Sequence, residues 1–168
     1  MSMQNSTIAA ISTAQAPGGI GVIRISGKDA QAIADRVFAN PQGKRVAAIP
    51  GYTALYGHIH VLEDDAELLD EAIALNFLAP HSFTGENVVE ISCHGGLYLL
   101  HRVLEELYKA GATPAQPGEF TKRAYFNGKL GLTEAESVMQ MISAQGSQAA
   151  RAAMASHEGA LEKRIQKI

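Results

Sequence analysis

The sequence predicts an α+β domain over residues 1–117, a mixed or antiparallel sheet with helices, followed by the start of an α-helical domain over residues 118–168. Three observations predict it. Short β-branched runs and amphipathic stretches come in the order strands, helix, strands, helix, which suits hairpin pairing better than the strict alternation of a doubly wound fold. After Pro117 the pattern turns to helix only. With 46% hydrophobic residues, 18% charged residues and a net charge of −3, the chain has the apolar content to build a core and lies far from the signature of disorder.

Residues 7–12 (TIAAIS) and 20–26 (IGVIRIS) read as two strands around the tight loop Ala16-Pro17-Gly18-Gly19. A helix follows, with Ser26 as its cap, Asp29 supporting the first turn, and Ala30, Ile33, Ala34, Val37 and Phe38 forming one apolar face at helical spacing. Asn40 to Gly51 is a connecting loop. Tyr52–Leu62 and Glu71–Leu78 form a long hairpin, and Glu63–Asp70 is its acidic surface loop. Val88–Ser92 is a fifth strand, followed by Gly95-Gly96 and a helix with Leu97, Leu100, Leu104 and Leu107 on one face, ended near Gly111. In the helical part, Thr133-Glu134-Ala135-Glu136 reads as a capping box opening a helix through Ile142. A last helix carries Met154, Leu161, Ile165 and Ile168, and with no stop signal after it the chain is expected to break off inside that helix.

Composition excludes several function classes. Residues 1–116 hold 7 Lys/Arg against 12 Asp/Glu and residues 117–168 hold 7 against 5, which is no basic footprint for nucleic acid. Cys93 is the only cysteine, so an intrachain disulfide is impossible. The first residues lack a basic and apolar leader, and no apolar run reaches the roughly 18 residues of a membrane span. The protein is expected to be soluble and cytoplasmic.

Two charges interrupt apolar strands, Arg24 in GVIRIS and Glu90 in VVEIS. An unpaired charge facing inward costs several kcal/mol, so each lies on the solvent face, pairs with the other, or meets a ligand. Pro17-Gly18-Gly19-Ile20-Gly21 precedes a strand and not a helix, so it reads as a glycine turn and not a phosphate loop. Cys93-His94-Gly95-Gly96 does lie between strand and helix, where a thiol can be activated, yet no acid to orient His94 is evident and a lone cysteine at a strand end is usually a buried apolar residue. His58 and His60 share a strand face, but no third ligand stands nearby in sequence. No GxxxxGK[ST] occurs, so the chain itself is not expected to bind GTP.

Four segments together resemble the MnmE/TrmE family: TIAAIST, GGIGVIRISG (18–27), PHSFTGENVVEISCHGG (80–96) and PGEFTKRAYFNGKLGLTEAESV (117–138). The resemblance covers nearly the whole chain. It implies a tetrahydrofolate-binding-domain-like fold, related to aminomethyltransferases, that also makes a homodimer, with a helical region interrupted in the family by a GTPase domain. It implies a complete protein that, with the flavoprotein MnmG, installs a carboxymethylaminomethyl or aminomethyl group on carbon 5 of the wobble uridine of tRNA, using 5-formyl- or 5,10-methylene-tetrahydrofolate, with GTP and potassium acting only in the full-length protein. The family's folate-site residues fall on Arg24, Glu90 and Lys129. A carboxylate suits a pterin's N–H edge, and cations suit its oxo group and glutamate tail. Two positions depart from the family pattern: no arginine precedes the Gly18-Gly19 pair, and Gly131 stands where an aspartate is common. The chain alone is expected to be non-catalytic. A stand-alone folate-dependent aminomethyl- or methyltransferase-like protein is the alternative.

Overall fold

A computed structural model of the chain describes residues 6–144 and 146–157. The strands are β1 (Ile8–Ile11), β2 (Ile20–Ser26), β3 (Phe38–Ala39), β4 (Thr53–Val61), β5 (Asp64–Phe77), β6 (Val88–His94) and β7 (Thr113–Pro114). The helices are α1 (Ala30–Val37), α2 (Leu97–Lys109), α3 (Glu119–Phe126), α4 (Leu132–Ser143) and α5 (Ser147–His157). The strands form one sheet in the order β3-β4-β5-β6-β2-β1-β7. Every pairing is antiparallel except that of β1 with β7, so the expected mixed α+β class holds.

The two-residue period of the strands sorts the sheet into two faces. Ile23 and Ile25 of β2, Val89, Ile91 and Cys93 of β6, and Ala72 and Ala74 of β5 share one buried core with Ile33 and Val37 of α1 and Leu100, Val103 and Leu107 of α2. The approach is close. A Cβ built on Gly21 would lie 2.5 Å from a Leu100 methyl carbon, so only glycine lets α2 settle against β2 here. The alternate positions, including Arg24 and Glu90, therefore point to the other face, where Ile20, Tyr56 and Ile73 stay exposed.

Helix α2 ends in a Schellman turn: Gly111 at φ +117° lets its own N–H reach Tyr108 and that of Ala112 reach Leu107, closing the orphan carbonyls. Glu106, fully buried on α2, accepts from the Leu62 N–H at 2.8 Å and from the Lys109 ammonium at 2.9 Å, and so fixes the β4–β5 tip to the helix. Burial alone would push this carboxyl up, but those bonds outweigh it and hold the pKa below the usual carboxylate value.

Four expectations are corrected. Residues 63–70 are not a loop: the chain turns at once after β4, and β5 runs from Asp64, its pairing slipping register beside Ile59 and His60. Ladder bonding by the backbone wins over the acidic composition that marked a loop. Phe38 leaves the helical face and starts β3 beside Ile59, because its backbone is already extended at φ −111° and ψ 127°. Ser26 does not cap α1; its hydroxyl bonds Thr84 and Glu86 instead, and Asp29 takes the cap position. Helix α4 starts at Leu132, one residue before the expected Thr133 cap, with the Glu134 carboxylate accepting from the Gly131 N–H at 2.6 Å. Of the last apolar seam, Met154 lies exposed on α5, whereas Leu161, Ile165 and Ile168 fall outside the described residues.

Candidate ligand cleft

Arg24 and Glu90 are cross-strand partners in the β2–β6 ladder, on the face away from α1 and α2. Both the Nε and an Nη of Arg24 bond the same oxygen, Oε1 of Glu90, at 2.8 and 2.7 Å. No described residue donates to the other oxygen, Oε2. The pair remains 24% and 22% exposed at its side chains, so it is neither solvated freely nor sealed. Two phenyl rings flank the guanidinium, that of Phe83 with its centroid at 5.2 Å and that of Phe120 at 5.4 Å.

This charge stands at the edge of a cleft of about 570 Å³, within the size range of small-molecule sites. Ala10 and Ser12 line it from the sheet side, Phe83 from the β5–β6 connection, Phe120 from α3, and Met139 and Ile142 from α4. The cleft thus draws residues from both sides of Pro117.

The walls are held by a dense polar network. Arg123 of α3 bonds both oxygens of Glu86 at 3.2 Å, Oε1 of Glu119 at 3.0 Å and the Ser6 carbonyl at 2.7 Å. Glu86 also accepts from the Ser26 hydroxyl at 2.7 Å, and Asn127 donates to the Thr84 carbonyl at 2.7 Å. The PHSFTGE segment and the PGEFTKRAYFNGK segment are in this way bound to each other, which explains why both stand out as motifs.

Lys129 sits outside the cleft lining. It follows a second Schellman turn, with Gly128 at φ +68°, the Gly128 N–H on Tyr125 and the Lys129 N–H on Ala124. Its stem packs across Gly85, Cγ lying 3.1 Å from where a Cβ would be, and its ammonium donates to the Pro80 carbonyl at 3.1 Å. The turn is therefore closed by its own backbone bonds, with no side chain at position 131 taking part. Sequence reasoning placed Arg24 and Glu90 together as one possibility, but missed Phe83, Phe120, Glu86 and Arg123. The motif boundaries were the only signal, since these contacts join residues 37 apart or more.

The Cys93 thiol is buried, and burial, reinforced by the Asp70 charge, pushes its pKa up to about 11. That environment is the reverse of an activated nucleophile's. His94 does have an acid: its Nδ1 and Asp70 Oδ1 are 2.7 Å apart, and this bond raises the imidazole pKa. Asp70 was hidden by the reading of residues 63–70 as a loop. His58 and His60 do share a face, their ring centroids 6.4 Å apart, and no group of three or more His, Cys, Asp or Glu among the described residues is arranged to hold a metal. The Pro17–Gly19 turn is a backbone clasp, Gly18 donating to the Gly95 carbonyl and Gly95 to that of Gly19. Within the described residues no helix is long and apolar enough to cross a membrane.

Residues 7–129 match the family model described as GTP-binding protein TrmE N-terminus. The chain is 45% identical over 166 residues, 99% of its length, to the tRNA modification GTPase MnmE of Symbiobacterium thermophilum, and covers 36% of that protein. It is 44% identical over 163 residues to the protein of that name from Bacillus licheniformis and 43% identical over 164 residues to that from Parabacteroides distasonis, covering 96% and 97% of this chain and 35% of each relative. The chain therefore spans about a third of the length of the curated relatives it matches.

Proposed function

The chain belongs to the family described as GTP-binding protein TrmE N-terminus, and from that premise we propose that it is the tetrahydrofolate-binding and homodimerising module of a tRNA modification GTPase. In this reading the fold is of the tetrahydrofolate-binding type, and the whole protein, with MnmG, alters carbon 5 of the wobble uridine of tRNA. The observation that carries the folate reading is the half-bonded Arg24–Glu90 pair beside an aromatic-walled cleft.

The residues present fit a reduced folate. Glu90 keeps Oε2 as an acceptor for the paired N–H groups of a pterin edge, and a charge-assisted bond of that kind is worth about twice a neutral one. Phe83 and Phe120 offer flat apolar faces to a planar ring, and Met139 and Ile142, largely exposed on α4, offer further apolar surface for it to cover. Arg24 carries more N–H donors than its bonds to Glu90 use, which suits a pterin oxo group. Lys129, with three donors and one on Pro80, suits the glutamate carboxylates. When bound, the folate supplies a one-carbon unit; this chain's residues hold and orient it, and proximity of that kind is worth up to roughly 7 to 11 kcal/mol of a barrier in favourable systems once a second reactant is present.

Homodimerisation is supported by the uncovered sheet face, where Ile20, Tyr56 and Ile73 are 71%, 49% and 48% exposed. Calorimetric titration with 5-formyltetrahydrofolate should show one saturable site per chain, and light scattering should give twice the chain mass. Absence of binding heat in a folded sample would sink the folate reading, and a strictly monomeric sample the dimer.

A further inference from the structure

The three groups that flank the cleft edge, Arg24, Phe83 and Phe120, come from three separate segments and meet one another only through the guanidinium lying over the two rings. Each stands within three residues of one shared network: Ser26 follows Arg24 on β2, Glu86 follows Phe83 in the β5–β6 connection, and Glu119 and Arg123 bracket Phe120 on α3. We propose that Arg123 and Glu86 are positioning residues of the ligand cleft, a clamp that sets the spacing of the Phe83 and Phe120 rings about Arg24. For the identity of the ligand this rests on the folate reading above.

The geometry makes Arg123 suited to the task. Its planar fork carries five donors in fixed directions, and here it meets Glu86, Glu119 and Ser6 together, each from a different stretch of chain. Its side chain is 7% exposed and that of Glu86 17%, so the pair works where water competes poorly. Because Glu86 Oε2 also takes the Ser26 hydroxyl, the clamp reaches the strand that carries Arg24. A lysine at position 123 would keep the charge and three donors, but all on one nitrogen, without the planar fork that spreads five donors over Glu86, Glu119 and Ser6. Glu86 and Arg123 line no part of the cleft themselves, so they act on a ligand only through the rings.

The test uses the whole chain labelled with 4-fluorophenylalanine at its five phenylalanines, with the Phe83 and Phe120 fluorine signals assigned by single replacement by leucine and Phe38 in the core as internal standard. In Glu86→Gln and Arg123→Gln the Phe83 and Phe120 signals should both move or broaden while Phe38 stays. Affinity for 5-formyltetrahydrofolate should fall on the order of tenfold in each, as loss of orientation alone can produce. The double variant should lose no more than either single one, because both break the same clamp. Arg123→Lys should recover part of the loss. Folded variants with unmoved ring signals, or with moved signals and full affinity, would overturn the proposal. So would unfolding of both, read from the Phe38 signal, since the pair would then be a stability element only. If the unaltered chain binds no folate yet the ring signals move, the folate reading fails and the clamp stands.

Discussion

The Arg24–Glu90 and Arg123–Glu86 pairs use the same two side chains and are bonded in opposite ways. Arg24, which lines the cleft, places two donors on one oxygen of Glu90, which does not, and no described residue donates to the second oxygen. Arg123 reaches both oxygens of Glu86 and further acceptors on two other segments, and Glu86 takes a hydroxyl as well. Glu106 is saturated in the same sense, by Leu62 and Lys109. On the folate reading, unused bonding capacity on a half-shielded carboxylate, and not the ion pair as such, is what separates Glu90 from Glu86. A saturated carboxylate answers to the fold, and an open one can answer to a ligand.

The difference can be broken by substitution. The largest effect on stability should come from Glu106→Ala, which leaves the part-buried Leu62 N–H without its acceptor and frees the half-exposed Lys109 ammonium to water; a loss of roughly 1 to 3 kcal/mol in urea unfolding is expected, the cost of one unsatisfied donor. A value under about 1 kcal/mol, the level of an exposed pair, would remove Glu106 from the saturated class. Glu90→Gln should do the reverse. It exchanges an acceptor for a donor at the open oxygen, costing roughly 2 to 4 kcal/mol of folate binding while leaving the urea midpoint nearly in place. Equal affinity in the folded variant would return Glu90 to a purely structural role.

Acid sharpens the same contrast. Glu106 has its pKa lowered in the folded state, so its contribution is present above the unfolded carboxylate value and is lost as pH falls through the folded one. Stability of the unaltered chain should therefore drop more steeply below pH 4.5 than that of Glu106→Gln, and parallel acid limbs in the two would contradict it. The smallest effect belongs to the exposed His94–Asp70 pair. Its imidazole pKa is raised by the bond to Asp70, so whatever the pair adds to stability is present below the unfolded histidine value of about 6.5 and is lost as pH rises through the folded one. Proton NMR should find His94 titrating higher than in Asp70→Asn; identical curves would show that the bond does not persist in solution.

Much of this was legible in the chain itself, and what was not has a physical cause. Alternation in GVIRIS and VVEIS put Arg24 and Glu90 on one side of their strands, because a period of two follows from backbone geometry alone. Their pairing needed only that the two strands be neighbours, which they are. Local composition failed where long-range pairing decided the outcome, as at residues 63–70, whose acidic side chains hid a strand stabilised by β4, and at Phe38, recruited by Ile59. The cleft's aromatic walls were invisible for the same reason. Phe83 and Phe120 reach Arg24 from segments far apart in the chain, which Arg123, Glu86 and Ser26 join through contacts that no local pattern records.

The placement of Met139 and Ile142 in the cleft wall has a consequence for dissecting the molecule. A fragment cut at Pro117 would keep the whole sheet, with α1, α2 and the Arg24–Glu90 pair, and by its core it would be a reasonable folding unit. It would lack Phe120, Arg123 and α4, and so would present a floor with one wall. A screen for small molecules run on that shorter piece would survey a surface that the longer one does not have.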